Sequence, residues 1–483
     1  MVTFIGSIVA LIAGYFLYGR FIDRFFGIEK NRVTPALELN DGVDYIPMPT
    51  WKIFVIQFLN IAGLGPIFGA ILGAAFGPAA YIWIVLGCIF MGAVHDYFSG
   101  MLSIRHNGAS LPELVSAYLG KGAKNFLRVF TLFLLIFVGV AFVSGPAGLL
   151  ESLTGGGYQI WLFVIFVYYI LATLLPIDKI IGKIYPFFGI LLLVMAVLIG
   201  GVIIIKATNG SMPMTELSAA GMVNHHAQKT TTFIFPMMFI VISCGAISGF
   251  HATQSPMMAR CLKNEKHGRI AFYGAMIAEG IVTIIWATAA MNYFGTATDL
   301  NTTLASHNPA WIVHEISVTW LGKFGAILAI LGVIACPITT GDTAFRSARL
   351  TIADMFNFSQ TSINKRLVVS VPLFALGFLL TFAFNKQFAV VWNFVGISNQ
   401  ILAAIVLWTA AMYLAMKRKF HWIISVPALF LSFVCFTYLL CAPFKTGGFN
   451  IPLQYSYPVA LFLSVITGVA WSLKLRKNRS RLK

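Results

Sequence analysis

The sequence predicts an all-α integral membrane protein of about 13 transmembrane helices, built on a five-plus-five inverted-repeat core with two interrupted helices. Three observations predict it. Of 483 residues, 59% are hydrophobic and only 10% charged, where a soluble domain carries about 25% charged residues. Apolar runs of about 20 residues recur from one end of the chain to the other. Two of those runs, five spans apart, are broken near their middles by glycine, proline and polar residues.

The apolar runs cover 2–19, 52–76, 79–104, 126–148, 158–176, 184–205, 233–256, 270–291, 324–345, 367–384, 388–415, 421–441 and 455–473. The first is read as a retained helix rather than a signal peptide, because Met1, Val2 and Thr3 carry no positive side chain and Arg20 and Arg24 follow the run. Counted over alternate connections, 28 of the 33 Lys and Arg fall on one side; Lys206, Lys229, Lys323, Lys386 and Lys445 fall on the other. The positive-inside rule then puts the N-terminus outside and the C-terminus in the cytoplasm of a multi-pass protein of the cell inner membrane. The net charge of +17 is thereby topological, so nucleic acid is excluded and the lipid bilayer is the expected partner. The six cysteines show no CxxC and no metal-ligand spacing, and no metal or other cofactor is expected.

The organisation follows from these spans. Residues 1–50 hold an extra N-terminal helix and a cytoplasmic linker, 51–206 the first five-helix repeat and 207–232 an extracellular loop. Residues 233–416 hold the second repeat, and 417–483 two C-terminal helices with a basic cytoplasmic tail. An odd number of crossings per repeat forces the two repeats into opposite orientation. The second run has Asn60, Gly63, Gly65 and Pro66 near its middle, where a continuous helix would lose backbone hydrogen bonds. The seventh has Ser243, Gly245, Ser248 and Gly249 near its middle and Pro256 toward its cytoplasmic end. Gly65, Gly69, Gly73 and Gly77, spaced by four, also read as a close-packing stripe. The two readings are compatible.

At these residues the chain strongly resembles the carbon starvation protein A (CstA) family. The stretches that carry the resemblance run from Asn60 to Leu114 (beginning NIAGLGPIFGAILGAAFG), from Ser248 to Glu265 (SGFHATQSPMMARCLKNE) and from Ile338 to Leu350 (ITTGDTAFRSARL). Members of that family are secondary transporters grouped with the amino acid/polyamine/organocation (APC) superfamily, which implies a leucine-transporter-like five-plus-five core. The family is associated with peptide uptake during carbon starvation, and some members with proton-driven pyruvate uptake. Its longest members carry further C-terminal sequence, and this chain resembles a short form. The resemblance implies a secondary active importer of peptides, proton-coupled, with pyruvate:proton symport as the alternative and a channel or membrane nutrient sensor behind both. An enzyme is not expected, because the sequence has no HExxH, no GxSxG and no phosphate-binding glycine loop with a lysine.

Sixteen acids are available and none follows Asp354. Asp96 in the third run shares a small-residue stripe with Gly92 and Gly100. Glu279 in the eighth shares one with Ala271, Ala275, Thr283 and Ala287. An ionised carboxylate there costs several kcal/mol unless paired or hydrated, so both are candidate proton carriers. His95 projects about 100° from Asp96 on a helix, so no dyad is expected of them and His95 reads as a packing residue. His251, just past the second break, is a candidate for substrate binding or proton relay.

Asp342 and Arg346, one turn apart, read as an ion pair or gate latch. The fold that the resemblance implies holds sodium, in its sodium-coupled relatives, on the third helix of the second repeat, so Thr339 and Thr340 with free carbonyls near Ala62 are a candidate cation site, with sodium the lesser coupling ion. No Lys or Arg falls near the middle of any run. A substrate carboxylate is therefore expected at the amides following Gly65 or Gly249, with Asn60, Gly63, Ser248, Thr253, Asn399 and Gln400 completing the site. That arrangement suits pyruvate and the C-terminus of a short peptide equally. In the external connection 292–323, Trp311, His314, Ile316 and Val318 read as a short interfacial helix, and the fold that the resemblance implies makes this connection an extracellular lid, with His314 and Glu315 as lid residues. Ser110 with Glu113 reads as a capping box opening a surface helix toward Tyr118.

Overall fold

The computed structural model describes residues 1–480 except 43–44, 175–176, 219–221, 357, 359–361 and 385–386. Within its helices, the side chains of 172–174, 177–185, 329, 333, 335–336, 339 and 354 also lie outside the description. Among the described residues the fold is all-helical. In chain order the helices are α1 (Val2–Phe26), α2 (Thr50–Ala62), α3 (Gly65–Ala74), α4 (Ala79–Arg105), α5 (Leu111–Leu119), α6 (Lys121–Thr154), α7 (Tyr158–Leu174) and α8 (Ile177–Thr208). There follow α9 (234–241), α10 (His251–Ala259), α11 (Glu265–Tyr293), α12 (Ala297–Ser306), α13 (Pro309–Ile330), α14 (Cys336–Met355), α15 (Ile363–Phe384), α16 (Phe388–Met416), α17 (Trp422–Cys441) and α18 (Leu453–Ser480).

Nine of the described helices are long and apolar enough to cross a bilayer, and the bent pair α2 and α3 makes a tenth. The remaining three predicted runs take other forms. The apolar helix in the fifth run, Tyr158–Leu171, is short. The run 233–256 is divided between α9 and α10, and 324–345 leads into a helix carrying Asp342, Arg346 and Arg349. Burial follows the division of labour expected in lipid, where every backbone group bonds internally and only side chains meet the hydrocarbon. Helices α4, α6, α11 and α16 are mostly buried in protein, whereas α1, α15 and α18 are mostly exposed and turn Val9, Leu379 and Phe462 outward.

Both expected breaks are present. Helix α2 stops at Ala62, Gly63 takes φ +33, and α3 leaves at 52°. Helix α9 stops at Val241, and the chain runs without regular helix until α10 begins at His251. The glycine stripe is what lets the two breaks approach. A Cβ on Gly65 would lie 2.6 Å from Cys244 Sγ, one on Gly69 would lie 3.1 Å from the Val241 carbonyl, and one on Gly73 would collide with Ile242. The capping box is also formed, with Ser110 N donating to Glu113 Oε2 at 3.1 Å.

The segment expected to act as a lid is a pair of helices. Thr296 caps α12 and Asn308 caps α13, whose course turns at Gly322 (φ 60, ψ −145) before the chain re-enters the bundle. Asn301 on α12 donates to the carbonyls of Ala75 and His225 at 2.9 and 3.1 Å, which ties the lid to the end of α3.

A Cβ at Gly249 would lie 2.6 Å from both Asn399 O and Ala403 N, backbone atoms that cannot swing away, whereas one at Gly201 would meet open space. Gly249→Ala should therefore destabilise by about 1–3 kcal/mol and lower the melting temperature of the detergent-purified protein by several degrees. Gly201→Ala should leave it unchanged or slightly higher.

Candidate functional site

Helix α4 carries Asp96 inward because Gly92 and Gly100 flank it on the same face. A Cβ at Gly92 would collide with the Ala246 carbonyl and one at Gly100 with the Phe272 ring, so α4 packs hard against the α9–α10 break and α11. Glu279 reaches the same point from α11, where Thr283 one turn on donates to the Glu279 carbonyl at 2.8 Å. His251 is the first residue of α10 and hangs between them.

The result is a wholly buried chain of four titratable side chains. Asp96 Oδ1 is 2.8 Å from His95 Nδ1 and Asp96 Oδ2 is 2.9 Å from His251 Nδ1. His251 Nε2 lies 3.5 Å from Glu279 Oε2, and all four side chains are fully excluded from solvent. The expectation that His95 would stay apart from Asp96 is corrected here. Their Cα–Cβ directions do diverge, but the carboxylate swings about its own torsions and reaches the imidazole of its neighbour. The geometry leaves acceptors to spare: both Glu279 oxygens, His251 Nε2 and His95 Nε2 make no hydrogen bond. Two carboxylates and two imidazoles in one sealed row can hold a variable number of protons.

The residues expected to hold substrate surround the breaks, and most of their hydrogen bonds are used by the protein itself. Asn399 on α16 accepts from Gly249 N with its backbone carbonyl (3.0 Å) and from Phe250 N with Oδ1 (3.0 Å). The amides following Gly249, expected to receive a substrate carboxylate, are thus occupied in this conformation. Gln400 donates to the Phe239 carbonyl at 2.9 Å and Thr253 to the Phe250 carbonyl at 2.7 Å, while Ser248 Oγ sits 3.8 Å from Cys244 Sγ. Asn60 is 3% exposed, with no partner for its Nδ2. Gln57 Oε1 on α2, Gln254 Oε1 on α10 and Gln400 Oε1 are likewise buried without a hydrogen bond.

Thr340 approaches the first break, its Cγ2 3.5 Å from where a Gly63 Cβ would be. The Thr339 side chain lies outside the described residues, so its part in a cation site is not described. Asp342 Oδ2 and Arg346 Nη2 are paired at 3.1 Å, as their spacing predicts. Among the described residues, no group of three His, Cys, Asp or Glu has the arrangement of a metal site.

Packed clusters stand on either side of the breaks. Toward the lid, Phe68, Phe388 and Trp392 pack with centroids 5.5–6.3 Å apart, and the Trp392 indole donates to the Val241 carbonyl at 3.1 Å. Toward the basic end, Arg105 bonds Glu265 through two nitrogens (3.1 and 3.0 Å), Tyr413 OH (2.9 Å) and the Gly27 carbonyl (2.6 Å), and lies 4.3 Å from the Phe26 ring centroid. Neither cluster was expected from the sequence. Arg105 and Glu265 are 160 positions apart, and the only local signal is that Glu265 is an acid at the edge of an apolar run.

The family model described as carbon starvation protein CstA matches residues 1–151, 146–310 and 293–438. An uncharacterized membrane protein of Haemophilus influenzae is 46% identical over 339 residues, covering 61% of this chain and 91% of the relative. A protein of Campylobacter jejuni named peptide transporter CstA is 29% identical over 58% of this chain and 48% of its own. One of Escherichia coli named pyruvate/proton symporter BtsT is 27% identical over 59% and 48%. The chain thus spans about half the length of these two named transporters. Among solved structures, a mutant manganese transporter of Eremococcus coleocola aligns with TM-score 0.53 at 12% identity, covering 91% of this chain and 99% of that one. MHP1, a nucleobase-cation-symport-1 family transporter, aligns at 0.50 with 13% identity, covering 89% and 93%. At such identities the likeness is one of fold.

Removing the Asn399 amide leaves the Phe250 N–H buried without an acceptor, which costs about 1–3 kcal/mol. Asn399→Leu should lower thermal stability accordingly. Asn393→Leu, at an exposed amide that bonds its own helix at Ala389, should change it by less than about 0.5 kcal/mol.

Proposed function

The chain belongs to the carbon starvation protein CstA family, and we propose that within it the protein is a proton-coupled importer of short peptides, working by alternating access across the cell inner membrane. That it is a membrane transporter and not an enzyme rests on the family and on the transporters it resembles in sequence and fold. The single observation behind the coupling is the buried row His95–Asp96–His251–Glu279.

With Asp96 ionised, each neighbouring imidazole donates its Nδ1–H to one carboxylate oxygen, and His251 Nε2 becomes an acceptor facing Glu279. A proton arriving from outside resides on Glu279 or on His251 Nε2, and reduces the net charge of the row from two negatives to one. An unneutralised second charge in this setting would be costly, so loading favours the proton. His251 is also the first residue after the second break. Any rocking of α10 that accompanies substrate binding at the breaks changes its distances to Asp96 on α4 and Glu279 on α11, and with them the affinity for the proton. That shared element is how one movement serves both cargo and ion.

Alternating access also needs two closures that are not open together. The Phe68, Phe388 and Trp392 cluster and the Arg105–Glu265 latch supply them, with Asp342–Arg346 as a further pair on the cytoplasmic half of α14. In this reading α2 to α8 and α9 to α16 are the two inverted repeats, α1, α17 and α18 are additions, and the basic end faces the cytoplasm. Thirteen crossings then leave the N-terminus outside. Sodium at Ala62, Thr339 and Thr340 is the secondary choice of ion. Pyruvate is the second reading for cargo, favoured by the similarity to the symporter of that substrate; it would use the same proton row.

In liposomes under an inward proton gradient, Glu279→Gln should abolish accumulation above equilibrium while leaving counterflow exchange of the same substrate measurable. Accumulation at the level of the unaltered protein would remove Glu279 from the coupling role.

A further inference from the structure

A guanidinium taken out of water without a partner is among the costliest groups a fold can bury, and α14 carries one. Arg349 is 5% exposed, and neither its Nε nor its Nη1 makes a hydrogen bond. Among the described residues it forms no ion pair. The charges that act on it most are those of Arg346 and Arg366, both of its own sign, and then that of Asp342. Asp342 stands two turns back along the helix, and its Oδ2 is already paired with Arg346 Nη2 at 3.1 Å. A buried group in this state calls for an anion that the protein itself does not supply.

The place is the end of the bundle where α14 finishes at Met355 and α15 begins at Ile363. A Cβ at Gly377 of α15 would lie 2.7 Å from the Phe345 ring, so the two helices are in close contact one turn before Arg349. Lys365 and Arg366 stand in the first turn of α15, where they add side-chain charge to the positive pole of that helix. The outer surface here is apolar: Leu350, Phe356, Ile363 and Val368 are all exposed. Helix α15 is long and apolar enough to cross a bilayer, so lipid is what covers such side chains.

We propose that Arg349 anchors a site for a phosphate oxyanion, carried there on the headgroup of an anionic phospholipid whose acyl chains lie along α15. A phosphate diester brings charged, strongly accepting oxygens to the unbonded N–H groups, the pairing that a guanidinium favours. Basic pockets between membrane helices are where such headgroups bind. Leu350, the next residue in the chain, is 40% exposed, so the lipid-facing surface begins beside Arg349 and its long side chain spans what remains. A zwitterionic headgroup would bring its own cation into a place where Arg346 and Arg366 repel it. The site lies apart from the breaks and the titratable row, and it stands or falls without them.

The test uses the full-length protein purified in a non-ionic detergent, freed of lipid and offered phosphatidylglycerol and phosphatidylcholine of the same acyl chains in equal amounts. Native mass spectrometry should show phosphatidylglycerol bound at least about fivefold more tightly, an arm that needs no variant. Arg349→Gln should lose most of that preference. Lys417→Gln, which removes an exposed charge elsewhere at the basic end, should keep it. Melting temperature gives a second readout. Without lipid, Arg349→Gln should melt with the unaltered protein or above it, because a buried unpaired charge is gone, and only the unaltered protein should gain from phosphatidylglycerol. No preference in the unaltered protein, or the same preference in Arg349→Gln, would overturn the proposal. So would a lipid-free Arg349→Gln that melts well below the unaltered protein, since the guanidinium would then have its partner within the chain. Stabilisation by inorganic phosphate alone, equal to that by the lipid and lost in Arg349→Gln, would keep the oxyanion site and overturn its lipid source.

Discussion

Inside a hydrocarbon layer a polar group has no water to turn to, and each one left unpaired costs several kcal/mol. The whole core of this protein is arranged around that constraint at one place, the stretch between Val241 and His251 where helix is interrupted. Asn399 answers it with two acceptors, its own carbonyl and its side-chain oxygen, on the consecutive amides of Gly249 and Phe250. Gln400, the next residue, answers the Phe239 carbonyl before the break. One turn of α16 therefore holds both stubs of an interrupted helix, which is why a buried Asn–Gln pair sits in an otherwise apolar helix.

Close packing makes that clamp possible. Gly65, Gly69 and Gly73 bring α3 into contact with Val241, Ile242 and Cys244, and Gly92 brings α4 against Ala246. The same contacts exclude water from the region and so set the terms for the ionisable groups. Asp96 and Glu279 could not both stand there ionised and alone. The imidazoles of His95 and His251 let charge be distributed along a row instead of concentrated on one oxygen. His251 belongs to the helix that follows the break and the carboxylates to uninterrupted helices, so the row joins the broken and the unbroken parts of the core.

Much of the architecture was legible in the sequence, for identifiable reasons. Helix length in lipid is dictated by bilayer thickness, so apolar runs mark helices. Breaks need Gly, Pro and small polar residues, so they could be read at Gly63 to Pro66 and Ser243 to Gly249. Asp96, Glu279 and His251 were legible as individual candidates because ionisable residues are rare in such runs. Their meeting was not, since it depends on which faces of α4, α10 and α11 turn toward one another across 155 positions of chain. Whether the amides after Gly249 stand open was not legible for a related reason. A helix N-terminus advertises open donors in sequence, but only the neighbouring helix decides whether they are already taken.

The sequence by itself determined the solvent, the all-helical class, the positions of the two breaks and the roster of charged groups, because these follow from local composition and the dimensions of a membrane. Only the tertiary structure decided that four titratable side chains form one row and that Arg105 latches Glu265 and Tyr413. Each of these is a contact between helices distant in the chain, fixed by packing, and packing is a property of matched surfaces that no single helix encodes.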